Sequence, residues 1–216
     1  MNIRTDQGVT MRNETVDSFL QALAARVPAP GGGATAALHA AQAAALVAMV
    51  ARYSDGPRYA EHAEEITHVR NAADELRERS LVLAERDAAA FTAVTDAYRL
   101  PKASAGEAEQ RSHAIAAAVL DASRPPAAVV TTAASVLGLA ERLLPLGNRN
   151  VVSDVAAAAE AARAAATTAR VNIEINLGGI ADPDARAGLR EACQLVDELA
   201  ERAEKLTAAV RAELAR

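Results

Sequence analysis

Residues 28–54 read PAPGGGATAALHAAQAAALVAMVARYS. Three glycines follow a Pro-x-Pro, and a run built mostly of alanine follows them. From Val27 to Ala51 there is no Asp, Glu, Lys or Arg. Alanine has the highest intrinsic helix propensity, and its single methyl lets neighbouring helix axes approach closely. A helix apolar on every side belongs in a protein core or in a bilayer. The stretch has the ~20 residues a bilayer demands, but Thr35, His39 and Gln42 interrupt it and alanine adds little to insertion. It reads as the buried central helix of a bundle, with no membrane partner.

The totals agree with that reading. A chain of 216 residues suits one domain with a real core. Hydrophobic residues make up 51% and aromatics 2%, namely Phe19, Phe91, Tyr53, Tyr59 and Tyr98. Such a core must be assembled from Ala, Leu, Val and Ile. A net charge of -5 supplies no basic footprint for phosphates, and few rings are available for base stacking, so no nucleic-acid partner is expected. The lone Cys193 can form no intrachain disulfide and no zinc set, which points to a reducing, cytoplasmic home. The opening MNIRTDQGVTMRNE carries no apolar signal core.

Helix signals dominate, and no segment alternates with period two. A first helix is expected over Glu14–Arg26, capped by Asn13, with Val16, Phe19, Leu20 and Leu23 on one face. Pro28 and Pro30 stop it, and the alanine helix runs from Gly33 to Tyr53. Arg58–Leu100 reads as one very long helix or two stacked ones. Another starts near Ser104, with Glu107 placed for a capping box. Pro125-Pro126 is expected to divide the stretch from there to Leu144 into two helices. A further alanine-rich helix begins around Asn150–Asp154 and ends at Gly178-Gly179. The last covers Pro183–Ala215, with Leu189, Ala192, Val196, Leu199, Ala203, Leu206 and Val210 on one stripe and charge elsewhere. The expected fold is all-α: a single domain over residues 13–216, built of long, mostly antiparallel helices, behind a flexible N-terminus over residues 1–12.

Three places concentrate chemistry. The glycines Gly31, Gly32 and Gly33 precede a helix start, whose free N–H groups and positive dipole end suit an anion; a tight corner between two helix backbones is the other reading. In LAERDAAAF, the apolar stripe Ile66, Val69, Ala73, Leu76, Leu83, Ala90, Val94 and Ala97 is completed by Ser80 and Asp87. A carboxylate thus falls on an inward face, where burial is costly without a partner, unless local rotation leaves it at the surface. In GNRNVVSD, residues 147–154, Asn148, Asn150, Ser153 and Asp154 are four capping types in eight residues, more than capping alone requires. Lys102 in YRLPK stands after a helix end, where a cation is favoured and could grip an anion. The histidines, His39, His62, His68 and His113, show no zinc-type spacing, so no metal is expected.

PAPGGGATAA, LAERDAAAF with YRLPK, GNRNVVSD, and VNIEINL at residues 171–177 together resemble the cyclodeaminase/cyclohydrolase family. This is the C-terminal domain of formiminotransferase-cyclodeaminase, which also occurs as free-standing bacterial methenyltetrahydrofolate cyclohydrolases. The resemblance implies an all-α homodimer acting on a tetrahydrofolate one-carbon unit, with no metal and no permanently bound cofactor. It implies that Asp87 is the catalytic carboxylate, with Asp154 or Asn148 orienting water or holding the pterin edge. Gly31, Gly32, Gly33, Lys102 and Ser153 would contribute to substrate binding, Lys102 and the glycine amides facing negative charge. The activity implied first is hydrolysis of 5,10-methenyltetrahydrofolate to 10-formyltetrahydrofolate. Formimidoyltetrahydrofolate cyclodeaminase needs the same carboxylate and is the alternative; a non-catalytic helical scaffold is the other.

Overall fold

The computed structural model describes residues 11–215, so residues 1–10 of the expected flexible N-terminus lie outside the described residues. Met11 and Arg12 belong to a short 3-10 turn, Met11–Asn13. Six α-helices follow and no strand is found among the described residues: α1 Val16–Ala24, α2 Gly32–Arg52, α3 Ala63–Arg99, α4 Ala105–Leu143, α5 Val152–Leu177 and α6 Pro183–Leu214.

The uncharged helix is the axis of the bundle. α2 packs on α3, α4 and α5, while α6 closes the far side against α4 and α5. Nine alanines of α2, among them Ala36, Ala40, Ala43 and Ala44, are buried, and Ala158, Ala162, Ala165 and Ala169 face inward from α5. The volume between these thin helices is filled by Leu137, Leu143, Ile173, Leu199, Val47 and Val136. α2 is long and apolar enough to cross a membrane by length and composition; its burial against three helices accounts for that composition. In α6 the buried residues are those of the expected stripe, from Leu189 to Val210.

Local chemistry sets most boundaries. Ser104 and Glu107 form a reciprocal capping box at the head of α4. Asp182 caps α6 by accepting from the Asp184 and Ala185 N–H groups, with Pro183 in the first turn. Two expectations at the N-terminal side are corrected. α1 starts after Thr15, whose hydroxyl accepts from the Ser18 N–H at 3.0 Å, because Asn13 is taken up by the preceding 3-10 turn. Residues Pro57–His62 form a separate 3-10 turn, so the single long helix α3 begins at Ala63.

The larger correction concerns Pro125-Pro126, which does not divide the chain: both prolines are buried inside α4. Each removes an N–H and clashes with the carbonyl four residues earlier, a local cost of ~3 kcal/mol or more. Val119 and Ala122 before the pair and Val129, Val130, Val136 and Leu137 after it are all buried on the same core. Packing on both sides therefore holds the two halves in one continuous helix.

α1 is the exception to close packing. None of its residues is buried, and Val16 and Leu20 are 77% and 53% exposed. Its apolar face, with Phe19 and Leu23, overhangs a cleft floored by Leu38, Ala41 and Ala45 of α2 and Leu81 of α3.

Candidate functional site

α2 opens at Gly31, an extended residue that caps without a side chain. The Gly31 carbonyl accepts from both the N–H and the hydroxyl of Thr35, each at 3.0 Å. The first N–H groups of a helix have no partner within it. One of them, on Ala34, donates to the carboxylate of Asp87 from α3.

Asp87 lies so close over this helix start that a β-carbon on residue 33 would overlap all three atoms of its carboxyl group. Glycine at 33 is thus a steric requirement of the carboxylate's position. Asp87 is half-buried, and burial pushes its pKa up to about 6, with the Ala34 N–H pulling the other way. A carboxyl group poised there can take a proton and return it near neutral pH. The stripe that predicted an inward Asp87 is real: Ile66, Val69, Ala73, Ser80 and Leu83 are buried along the same face.

On the other flank of the glycines stands Asn172 of α5. A β-carbon on Gly32 would meet its Nδ2 at 3.4 Å and its Oδ1 at 3.7 Å. Nδ2 donates to the Thr168 carbonyl at 2.9 Å, which fixes the amide's orientation. Asn172 lies within VNIEINL, a motif whose sequence does not by itself single out this residue. The available signal is periodic: Asn172 continues the inner edge Ala162, Ala165, Ala169 of an otherwise alanine-built face, as Asp87 continues that of α3.

GNRNVVSD is elsewhere. Asn148 donates its N–H to Ser54 Oγ and its Nδ2–H to the Tyr53 carbonyl, both at 2.8 Å, while its Oδ1 accepts from the Asn150 N–H at 3.0 Å. Ser54 and Tyr53 lie at the C-terminal end of α2. Twenty residues of helix separate Gly33 from Tyr53, ~30 Å at 1.5 Å per residue. Asp154 sits half-buried in the first turn of α5 and Ser153 is exposed there. Within one chain, Asn148, Ser153 and Asp154 therefore do not join Asp87; Asn148 ties the α4–α5 turn to α2. Lys102 is exposed beyond the end of α3. Twelve residues of helix from Asp87 to Arg99 alone span ~18 Å, so it does not touch the carboxylate either.

Among the described residues, no three His, Cys, Asp or Glu side chains gather as a metal-holding group. The chain assembles a helix N-terminus bracketed by an acid of raised pKa and an oriented amide. That arrangement can attract a cationic or proton-donating ligand and move a proton at its edge.

The family profile described as formiminotransferase-cyclodeaminase matches residues 15–195. The chain is 36% identical over 171 residues to a protein of Methylorubrum extorquens named methenyltetrahydrofolate cyclohydrolase, across 79% of this chain and 82% of that one. It is 30% identical over 210 residues to the formimidoyltransferase-cyclodeaminase of Gallus gallus, covering 95% of this chain but 37% of that longer protein. A crystal structure described as formiminotetrahydrofolate cyclodeaminase from Thermotoga maritima superposes with a TM-score of 0.80 at 28% identity, over 92% of this chain and 98% of the other.

Proposed function

This chain belongs to the formiminotransferase-cyclodeaminase family, and we propose that it is a methenyltetrahydrofolate cyclohydrolase in which Asp87 is the acid/base group. The observation that carries this reading is the Asp87 carboxyl, raised to about 6 and held against Gly33 at the head of α2. The substrate is a cation whose charge is shared by N5, the bridging carbon and N10. An ionised Asp87 attracts that charge and takes a proton from water as the oxygen bonds to the carbon. The C–N5 bond then breaks, N5 receives the proton held by Asp87, and the carbinol O–H proton leaves as the formyl C=O forms. One proton is released overall. These steps are acid/base work alone, and the reading includes no metal and no resident cofactor. Lys102 is assigned to the negative charge of the benzoyl-glutamate tail, and the Gly31–Gly33 backbone to the flat ring, which can approach it where no side chain intervenes.

Cyclodeamination is the second reading, favoured by the close superposition on the Thermotoga maritima protein. There N10 attacks the formimino carbon and ammonia leaves after protonation by the same carboxyl. Loss of methenyltetrahydrofolate absorbance on adding the protein supports hydrolysis. No loss, with ammonia released from formimidoyltetrahydrofolate, would replace it with the second reading.

The working unit proposed is a homodimer paired through α2. Thr35, Leu38, His39, Gln42, Ala45, Leu46 and Met49 form an uncharged stripe at helical spacing that the fold leaves partly open. An antiparallel twofold pairing of this stripe sets the Gly31–Asp87 end of one protomer beside the Asn148, Ser153 and Asp154 end of its partner, which reconciles their assigned roles with their separation in one chain. Mixing inactive Asp87→Asn and Asp154→Asn chains should then restore about a quarter of the wild-type activity, since half of the dimers carry one intact site. No recovery would remove the second cluster from the site. A cytoplasmic location fits the lone Cys193 and is checked by cell fractionation.

A further inference from the structure

We propose that Asn172 orients the substrate's ring, accepting through Oδ1 a hydrogen bond from the N–H-bearing edge of the tetrahydropterin while Asp87 faces the one-carbon bridge; this rests on the folate reading above. α5 meets the bundle mostly through alanines, with Val152, Val155 and Ile173 the other buried residues, and Ile173 beside Asn172 is fully buried. Asparagine is a poorer helix former than alanine and gains nothing there from packing alone. Its Nδ2 is committed to the Thr168 carbonyl at 2.9 Å. The amide therefore cannot flip without losing that bond, and Oδ1 remains the acceptor on offer. No described residue donates to it, and the amide rests beside Gly32, which is itself exposed.

The pairing with Asp87 gives the amide a task. Asp87 lies against Gly33 and Asn172 against Gly32, neighbours whose Cα atoms are ~3.8 Å apart. The two acceptors flank a backbone with no side chains of its own, so a flat ring can approach the helix start directly. A reduced pterin offers donors at N3, N8 and the 2-amino group. Asp87 has to reach the carbon between N5 and N10. An acceptor on the opposite flank therefore meets the ring's donor edge and selects the orientation that places this carbon at the carboxylate. Few aromatic side chains are available to hold the ring by stacking, so hydrogen bonding at its edge carries the orientation.

Asn172→Leu keeps the size and removes the acceptor. Calorimetric titration of the purified protein with 5-formyltetrahydrofolate should show about five- to tenfold weaker binding, the worth of one neutral hydrogen bond. Binding of para-aminobenzoyl-glutamate, which lacks the pterin, should be unchanged. Asn172→Gln, which keeps both the amide donor and the acceptor, should recover part of the affinity for the full ligand. Equal folate affinity in wild type and Asn172→Leu, an equal loss for both ligands, or no folate binding by the wild type would each overturn the assignment. Turnover of methenyltetrahydrofolate, measured alongside, reports separately on the cyclohydrolase reading: wild type that binds folate in an Asn172-dependent way without hydrolysing it would refute that reading and leave the ring-orienting role standing.

Discussion

The carboxyl group of Asp87 occupies the space that a side chain at Gly33 would fill, so an acid on α3 and a missing side chain on α2 form one structural unit. The glycine makes room, the Ala34 N–H holds the carboxylate, and burial raises its pKa to about 6.

Gly33→Ala breaks that unit while sparing the fold. The group in the way is the end of a flexible side chain, so Asp87 can rotate outward. Activity should fall at least tenfold, with the melting temperature within a few degrees of wild type. The inflection in the pH–rate profile should move from about 6 toward the ordinary carboxylate range. An unmoved inflection would show that Asp87 had kept its place.

Asp87→Asn should lower turnover of methenyltetrahydrofolate by ~100-fold or more, the usual size of an acid/base contribution, and should raise stability at neutral pH. The folded carboxyl keeps its proton up to about 6, whereas the unfolded chain releases it near 3.8. Between those values the folded state binds more protons, so wild-type stability declines as pH rises through the window. Asparagine has no charge to desolvate. The variant's advantage should therefore grow from pH 4 to pH 7, reaching roughly 1–3 kcal/mol, read by urea unfolding at the two pH values.

Two leucines one turn apart on α6 test the packing. Leu199 is 1% exposed and Leu195 46%. Leu199→Ala should cost about 2–5 kcal/mol through lost contacts and a residual cavity. Leu195→Ala should cost under ~1 kcal/mol. Chemical denaturation midpoints with unchanged slopes would establish both.

Arg202 of α6 grips Glu141 of α4 through two hydrogen bonds, Nε to Oε1 at 3.0 Å and Nη2 to Oε2 at 2.7 Å. Glu141 raises the arginine's pKa through these bonds. Both side chains are about a third exposed, so the pair is worth ~1 kcal/mol. Arg202→Ala and Glu141→Ala should be non-additive by that amount in a double-mutant cycle, and the coupling should shrink in high salt.

Legibility followed the range of the physical signal. The α6 stripe and the Ser104–Glu107 box rest on neighbours three or four residues away, and each is found where the pattern placed it. Asp87 was legible for the same reason, because a polar residue in register with an apolar 3/4 repeat falls on its inward face unless the helix rotates there. Asn172 carried the same kind of signal, but alanine neighbours leave a helix face poorly marked. The proline pair misled because a local cost of ~3 kcal/mol per residue was set against burial on both sides that only packing reveals.

Sequence alone determined that this chain makes closely spaced helices around an uncharged one, and that an acid falls in register with the longest apolar stripe. Both are consequences of helical period and residue size. Only the tertiary structure decided which residues meet at which end of α2. α4 and α5 each carry the chain back by about 10 Å for every seven residues of helix, so motifs consecutive in order, LAERDAAAF and GNRNVVSD, finish at opposite ends of the bundle. Asn172, eighty-five residues from Asp87, returns to the same helix start. Direction and length of rigid helices set those distances, and neither is written in any one motif.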